Sequence, residues 1–290
     1  MIRQATSRLP SRVLLGLNGL LSNSLPAKIA FAFLVIITIA GFASPLIAPQ
    51  NPFDLSQIDF MDARIPPGGE GWNGQVYLFG TDGQGRDMLS AMLYGIRISL
   101  IVGIVTTLAA IFIGGTVGLV AAYFSGRVDA ILMRVVDVQL SFPGILIALV
   151  ILTAFGQGLE KVIIAIIAVQ WAYFARTVRG SAMREMSRDY ISASRNLEMS
   201  HLHIMFRQLL PNCLNAILVI SGIKIAQSIL MEATLSFLGL GLPITQPSLG
   251  LLISQGFSEM LTGAYWISVF PGILLLLTIL SINLVADQLE

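Results

Sequence analysis

From Ile98 to Ala122 the chain carries no charged side chain, and this run of about 25 residues decides which solvent the fold must meet. A helix rises 1.5 Å per residue, so about 20 residues cross the roughly 30 Å hydrocarbon core of a bilayer. Inside that core only helices and closed barrels satisfy every backbone N–H and C=O. Five further segments share the character of this run: 29–48, 138–155, 162–178, 209–231 and 265–286. Charged residues make up 11% of the 290, less than half of the roughly 25% found in soluble domains. The expected fold is an all-α polytopic membrane protein with six transmembrane helices. Gly114, Gly115 and Gly118 mark a place where another helix can come close. Pro143 stands near the start of the third span, and Pro271 predicts a kink in the sixth.

Arg3, Arg8 and Arg12 precede the first apolar run in the manner of a signal peptide, but that run begins only after Lys28 and is too long for one. Residues 1–28 are therefore expected to form a tail before a retained first span. If the tail is cytoplasmic, the inside segments hold Arg3, Arg8, Arg12 and Lys28, then Arg127 and Arg134, then Arg176, Arg179, Arg184, Arg188, Arg195 and Arg207. Only Arg64, Arg86 and Lys161 fall outside. This bias predicts that both termini are cytoplasmic. The formal net charge of +1 offers no basis for nucleic-acid binding. One cysteine, Cys213, excludes an internal disulfide and a multi-cysteine metal site, and reads as a buried apolar thiol.

The outer connection at 52–92 is acidic and rich in Pro and Gly, with Trp72 and Tyr77 to bury. It predicts an ordered loop whose acidic face either meets a partner or is simply solvated. Asp82, Arg86 and Asp87 lie within it. Their residue types suit acid chemistry or a metal, but no histidine stands near them, which leaves structural pairing or contact with a partner. The second outer segment, 243–263, has no periodic pattern. Inside the fifth span, Lys224 and Glu232 are eight residues apart and about 80° apart around a helix, so both can face one interior path. For Lys224 three readings stay open: a pathway contact to a ligand carboxylate, a structural contact, or snorkelling from a shifted helix. For Glu232 they are a structural or gating pair and a contact to a ligand amine.

Residues 179–208 are too charged to cross lipid and too patterned for a flexible linker. Met183, Met186, Tyr190, Ala193 and Leu197 recur at spacings of three and four, which predicts an amphipathic helix. Leu202, Met205, Phe206, Leu209 and Leu210 renew the pattern until Pro211. The two helices are expected to meet near Glu198 to Ser200, with Ser200 as a cap. His201 and His203, two apart, read as polar surface residues. The pattern alone suits docking into a soluble protein, lying on anionic lipid, or linking spans.

Tyr190-Ile-Ser-Ala-Ser-Arg-Asn-Leu-Glu-Met-Ser200, followed by Phe206-Arg-Gln-Leu-Leu-Pro-Asn212, resembles the cytoplasmic coupling motif of importer-type ABC permeases. Phe79-Gly-Thr-Asp-Gly-Gln-Gly-Arg-Asp87 and Glu232-Ala-Thr-Leu-Ser-Phe-Leu-Gly-Leu-Gly241 resemble signatures of the dipeptide, oligopeptide and nickel permease family. The resemblance covers about Asn51 to Asp287. It implies the type I importer permease fold in a bacterial inner membrane, paired with a second related permease. It further implies two ATP-binding cassette ATPases that hold ATP and Mg, and an extracytoplasmic binding protein that delivers the ligand. The chain itself would bind no cofactor and carry no catalytic residue. Dipeptides or short oligopeptides are the implied cargo, with nickel or another small ligand as the alternative. An ion-coupled secondary transporter is the rival class, for which no internal repeat is found. By the same resemblance Tyr190, Ser192, Ala193, Ser194, Leu197, Glu198, Ser200, Phe206 and Pro211 would couple to the ATPase. Three positions depart from the family: Ser192 where it has glutamate, Leu249 where it has tryptophan, and Glu198 where it has a turn glycine. If that turn needs positive φ, the side chain at 198 costs roughly 1 kcal/mol.

Overall fold

The computed structural model describes residues 24–289; Arg3, Arg8 and Arg12 of the expected tail lie outside them. Helix α1 (Leu25–Phe42) opens at Ser24, whose hydroxyl accepts from the Ala27 amide, with Pro26 in its first turn. An outer segment follows, built from short helical turns and a two-residue hairpin, β1 (Gly69–Glu70) with β2 (Val76–Tyr77). Helix α2 (Met88–Phe124) is capped by Asp87, so it takes in the last five residues of the stretch expected to be loop. Then come α3 (Gly126–Ser141), α4 (Gly144–Phe155), α5 (Leu159–Met186), α6 (Asp189–Asn196), α7 (His201–Phe237), α8 (Leu249–Glu259) and α9 (Trp266–Ala286). Among the described residues, α1, α2, α5, α7 and α9 are long and apolar enough to cross a membrane, and α3 with α4 makes a sixth crossing if the bent pair is one span.

Three expectations are corrected. A continuous helix over 138–155 does not form: α3 and α4 meet at 86° across Phe142 and Pro143. Proline has no N–H to donate and bars the preceding residue from helical geometry, and Phe142 is accordingly extended at φ −95°, ψ 142°. Met183 and Met186 do not share a helix with Tyr190, Ala193 and Leu197; they end α5, and Arg188 is extended before α6 starts. The segment 243–263 contains α8, whose cap Ser248 accepts from the Leu251 amide. Pro271 lies within α9, which continues through it.

The packing is organised by α2 and α5. A Cβ placed on Gly114 would collide with the Trp171 carbonyl, and one on Gly118 with the Ala175 carbonyl, so the two backbones touch with no side chain between them. Gly115 points into open space and takes no part in this contact. Helix α7 packs against both α2 and α5, and α9 closes the other side against α1, α7 and α8. Replacing Gly118 by leucine should therefore lower the thermal midpoint of the detergent-solubilised protein by a large margin, since overpacking costs about 1–3 kcal/mol or more. The same replacement at Gly115 should leave it nearly unchanged.

Candidate coupling and pathway sites

The turn between α6 and α7 is held by backbone geometry. The Glu198 amide donates to the Arg195 carbonyl at 3.0 Å and the Met199 amide to the Ser194 carbonyl at 3.2 Å. These are the two bonds of a Schellman motif, whose penultimate residue must be left-handed and is usually glycine. Glu198 occupies that position at φ 52°. The family's glycine is thus a geometric requirement that this chain meets with a strained side chain. Ser200 then caps α7, its hydroxyl accepting from the His203 amide.

Behind the turn, Ile191, Ile204, Met205 and Leu209 are buried with Phe174, Val178 and Ala182 of α5. Ile191 is the anchor that the sequence reading missed, because the pattern there followed Tyr190, Ala193 and Leu197, which are exposed. Its neighbour at i+3, Ser194, is also buried and returns its hydroxyl to the Tyr190 carbonyl. Tyr190 donates to Glu185 Oε2 at 2.8 Å and accepts from Asn212 Nδ2 at 3.1 Å, so α5, α6 and α7 meet at one phenol. Burial, then the Glu185 hydrogen bond, pushes that phenol up to about 12. Pro211 is accommodated by a widened turn over Ile204–Leu209, in which the Leu210 amide reaches back five residues to Met205. That spacing relieves the clash a proline ring makes with the carbonyl four residues earlier.

Tyr123, at the end of α2, is a second omission. Its hydroxyl lies 2.7 Å from His201 Nδ1, and the Arg195 guanidinium sits 5.3 Å from its ring centroid. With Phe124, Glu198 and His201 it lines an open groove of about 550 Å³. Leu197, Leu202 and Phe206 surround the apex with exposed apolar surface, as does Met199. Ser192 is exposed on the same projection.

On the opposite side, Asp82, Arg86 and Asp87 do separate jobs. Arg86 Nε donates to Asp82 Oδ2 at 2.6 Å, and both residues are fully buried. The rest of the guanidinium reaches the Ile244 carbonyl and Gln255 Oε1, which ties the first outer segment to the second. Asp87 accepts from the Ser90 amide and hydroxyl and so starts α2. The Trp266 indole donates to the Thr81 carbonyl, and Arg64 pairs with Glu259 at 2.6 Å across the same joint.

Lys224 and Glu232 meet different helices. Helix α7 packs against both α5 and α2, and the rotation between the two residues gives each a different neighbour. Lys224 meets α5: its Nζ lies 3.3 Å from the centroid of the Tyr173 ring and 2.9 Å from Gln227 Oε1. Glu232 meets α2: it is fully enclosed, accepting from the hydroxyls of Ser99 at 3.1 Å and Ser236 at 2.8 Å. Below it, Gly241 folds back onto Ser236 so closely that a Cβ would not fit, and the Gly158 amide from the α4–α5 turn donates to the Gly241 carbonyl.

Residues 114–290 match the family described as "Binding-protein-dependent transport system inner membrane component". The chain belongs to this family. The permease is 39% identical over 91% of its length to a Brucella suis protein named as a peptide transport system permease, 85% of which is covered. It is 36% identical, again over 91% of its length, to the dipeptide transport system permease of Escherichia coli, 87% of which is covered. Its fold matches a chain of the inward-facing MetNI methionine ABC transporter with a TM-score of 0.58 at 18% identity, covering 69% of this permease and 94% of that chain. It is thus a multi-pass inner-membrane subunit with the type I importer permease fold.

Two outcomes follow from the geometry. Glu198→Gly should raise the thermal midpoint of the purified permease by the equivalent of about 1 kcal/mol, because it removes a left-handed side chain from a turn that is kept. The Arg64 hydrogen bond holds the Glu259 carboxyl below its usual 4.5. A depressed carboxyl contributes stability that is complete above pH 4.5 and is lost as pH falls through the lower folded value. The difference in thermal midpoint between the wild type and Arg64→Gln should therefore vanish on acidification below that range.

Proposed function

We propose that this permease forms half of the passage of an ATP-driven importer of dipeptides or short oligopeptides. A second, related permease supplies the other half, two ATP-binding cassette ATPases supply ATP and Mg, and an extracytoplasmic protein delivers the cargo. Relatives named for peptide and dipeptide transport support the cargo class. In this reading both termini and α6 are cytoplasmic, and the chain performs no chemistry.

The observation that carries the coupling role is the α6–α7 turn. It exposes Leu197, Leu202 and Phe206 while Ile191 locks its base into the ends of α5 and α7. Apolar side chains held outward on a rigid base suit a groove on a soluble partner better than water. Tyr190, Ser194 and Pro211 hold the shape, while Ser192, Ala193, Leu197, Glu198 and Phe206 form the contact surface and Ser200 sets the turn. Because the base is continuous with α5 and α7, displacement of the turn by ATPase closure moves two spans together. Glu232 serves as a structural bolt between α7 and α2, and the joined outer segments around Arg86 form the face that meets the binding protein.

A Glu198→Cys variant of the assembled transporter, treated with a short bifunctional reagent, should cross-link to an ATPase subunit. Recovery of cross-links to lipid alone would overturn the docking. Leu197→Asp should retain the assembled complex yet lower ligand-stimulated ATP hydrolysis about tenfold, since burying an unpaired charge in the groove weakens the contact by more than 1.4 kcal/mol.

A further inference from the structure

Lys224 stands near the middle of α7, about 20 Å along the helix from either end of Leu210–Phe237. The residue is only 7% exposed. Among the described residues no carboxylate comes within 4.0 Å of its Nζ. An unpaired ammonium at this depth is costly to retain, and its usual justification is a ligand or an ion path.

The helix contact around it does not need the charge. Gln170 of α5 donates to the Lys224 carbonyl at 3.1 Å and to the Ser228 hydroxyl at 2.7 Å, and Thr106 of α2 donates to that same hydroxyl at 2.8 Å. These bonds join α2, α5 and α7 through backbone and neutral groups, leaving the ammonium as a spare donor. Gln170 Oε1 has no hydrogen-bond partner among the described residues.

An ammonium has three N–H groups. One goes to Gln227 Oε1 and one meets the face of Tyr173, which leaves the third free. Gln227, which takes the first of these, is exposed, and Tyr173 is 41% exposed, so the ammonium lies next to an exposed edge. The free ammonium hydrogen therefore offers one charge-assisted donor beside that edge, suited to a carboxylate oxygen.

We infer that Lys224, held by Gln227 and the Tyr173 ring, is a transient recognition station for the carboxylate of the ligand as it crosses the membrane. This rests on the peptide reading above, since every unblocked peptide carries such a group. A single charge-assisted contact with one free ammonium hydrogen is strong enough to select and weak enough to release.

The test uses the complete transporter in proteoliposomes, saturated with its binding protein, with a free-acid dipeptide as probe and import read per assembled complex. Lys224→Met should slow import about tenfold or more, and Lys224→Arg should recover most of it. Gln227→Glu, at an exposed position, should also slow import by supplying an internal carboxylate that occupies Lys224. Equal import by the wild type, Lys224→Met and Gln227→Glu would overturn the station alone. Loss in Lys224→Arg as deep as in Lys224→Met would overturn it in favour of a packing role. A wild-type complex that hydrolyses ATP with its binding protein but moves no dipeptide would overturn the peptide reading, and this inference with it.

Discussion

The backbone contact between α2 and α5 at Gly114 and Gly118 is the constraint on which the other helix positions depend. Lipid offers no hydrophobic gain for bringing two apolar helices together, so association rests on close packing. Two glycines four residues apart let the carbonyls of Trp171 and Ala175 settle directly on α2. Once α5 is seated there, its remaining faces are committed. Gln170 and Tyr173 turn to α7, and Phe174 and Val178 turn to the base of the α6–α7 turn.

Charge inside the fold follows a similar economy. Arg86 donates to Asp82 and spends further guanidinium donors on the second outer segment, so each of its nitrogens has a partner despite burial. Glu232 is enclosed by hydroxyl donors and no cation, which suits a bolt and not a path. Of the three, Lys224 keeps a donor unspent, next to the exposed Gln227 and Tyr173. The three residues share the property of being buried and ionisable, but their partners give them three different roles.

The strained turn at Glu198 joins α6 to α7. Its left-handed geometry is imposed by the two carbonyls at the end of α6, so the backbone keeps its path whichever residue stands there. A glutamate in place of glycine adds acidity at the apex and costs some stability, while Ile191 and Tyr190 keep the base rigid.

The apolar runs, the glycine pair and the cap at Ser200 were legible in the chain, because each follows from local rules about lipid, packing and hydrogen bonding, whereas the special position at 198 was legible only through the family resemblance. Helix α8 was not, since its short apolar stretch carries too little period to separate it from loop. The break at Pro143 was visible as a proline, yet its 86° angle depends on what α4 packs against. Ile191 escaped notice because one buried residue on a mostly exposed helix has no periodic signature. By itself the sequence determined that this protein spans a membrane, roughly where its helices run, and which backbone positions are special. Only the tertiary structure decided that Lys224 and Glu232 face different helices, because a modest rotation around α7 becomes a choice between α5 and α2 only when both are packed in place.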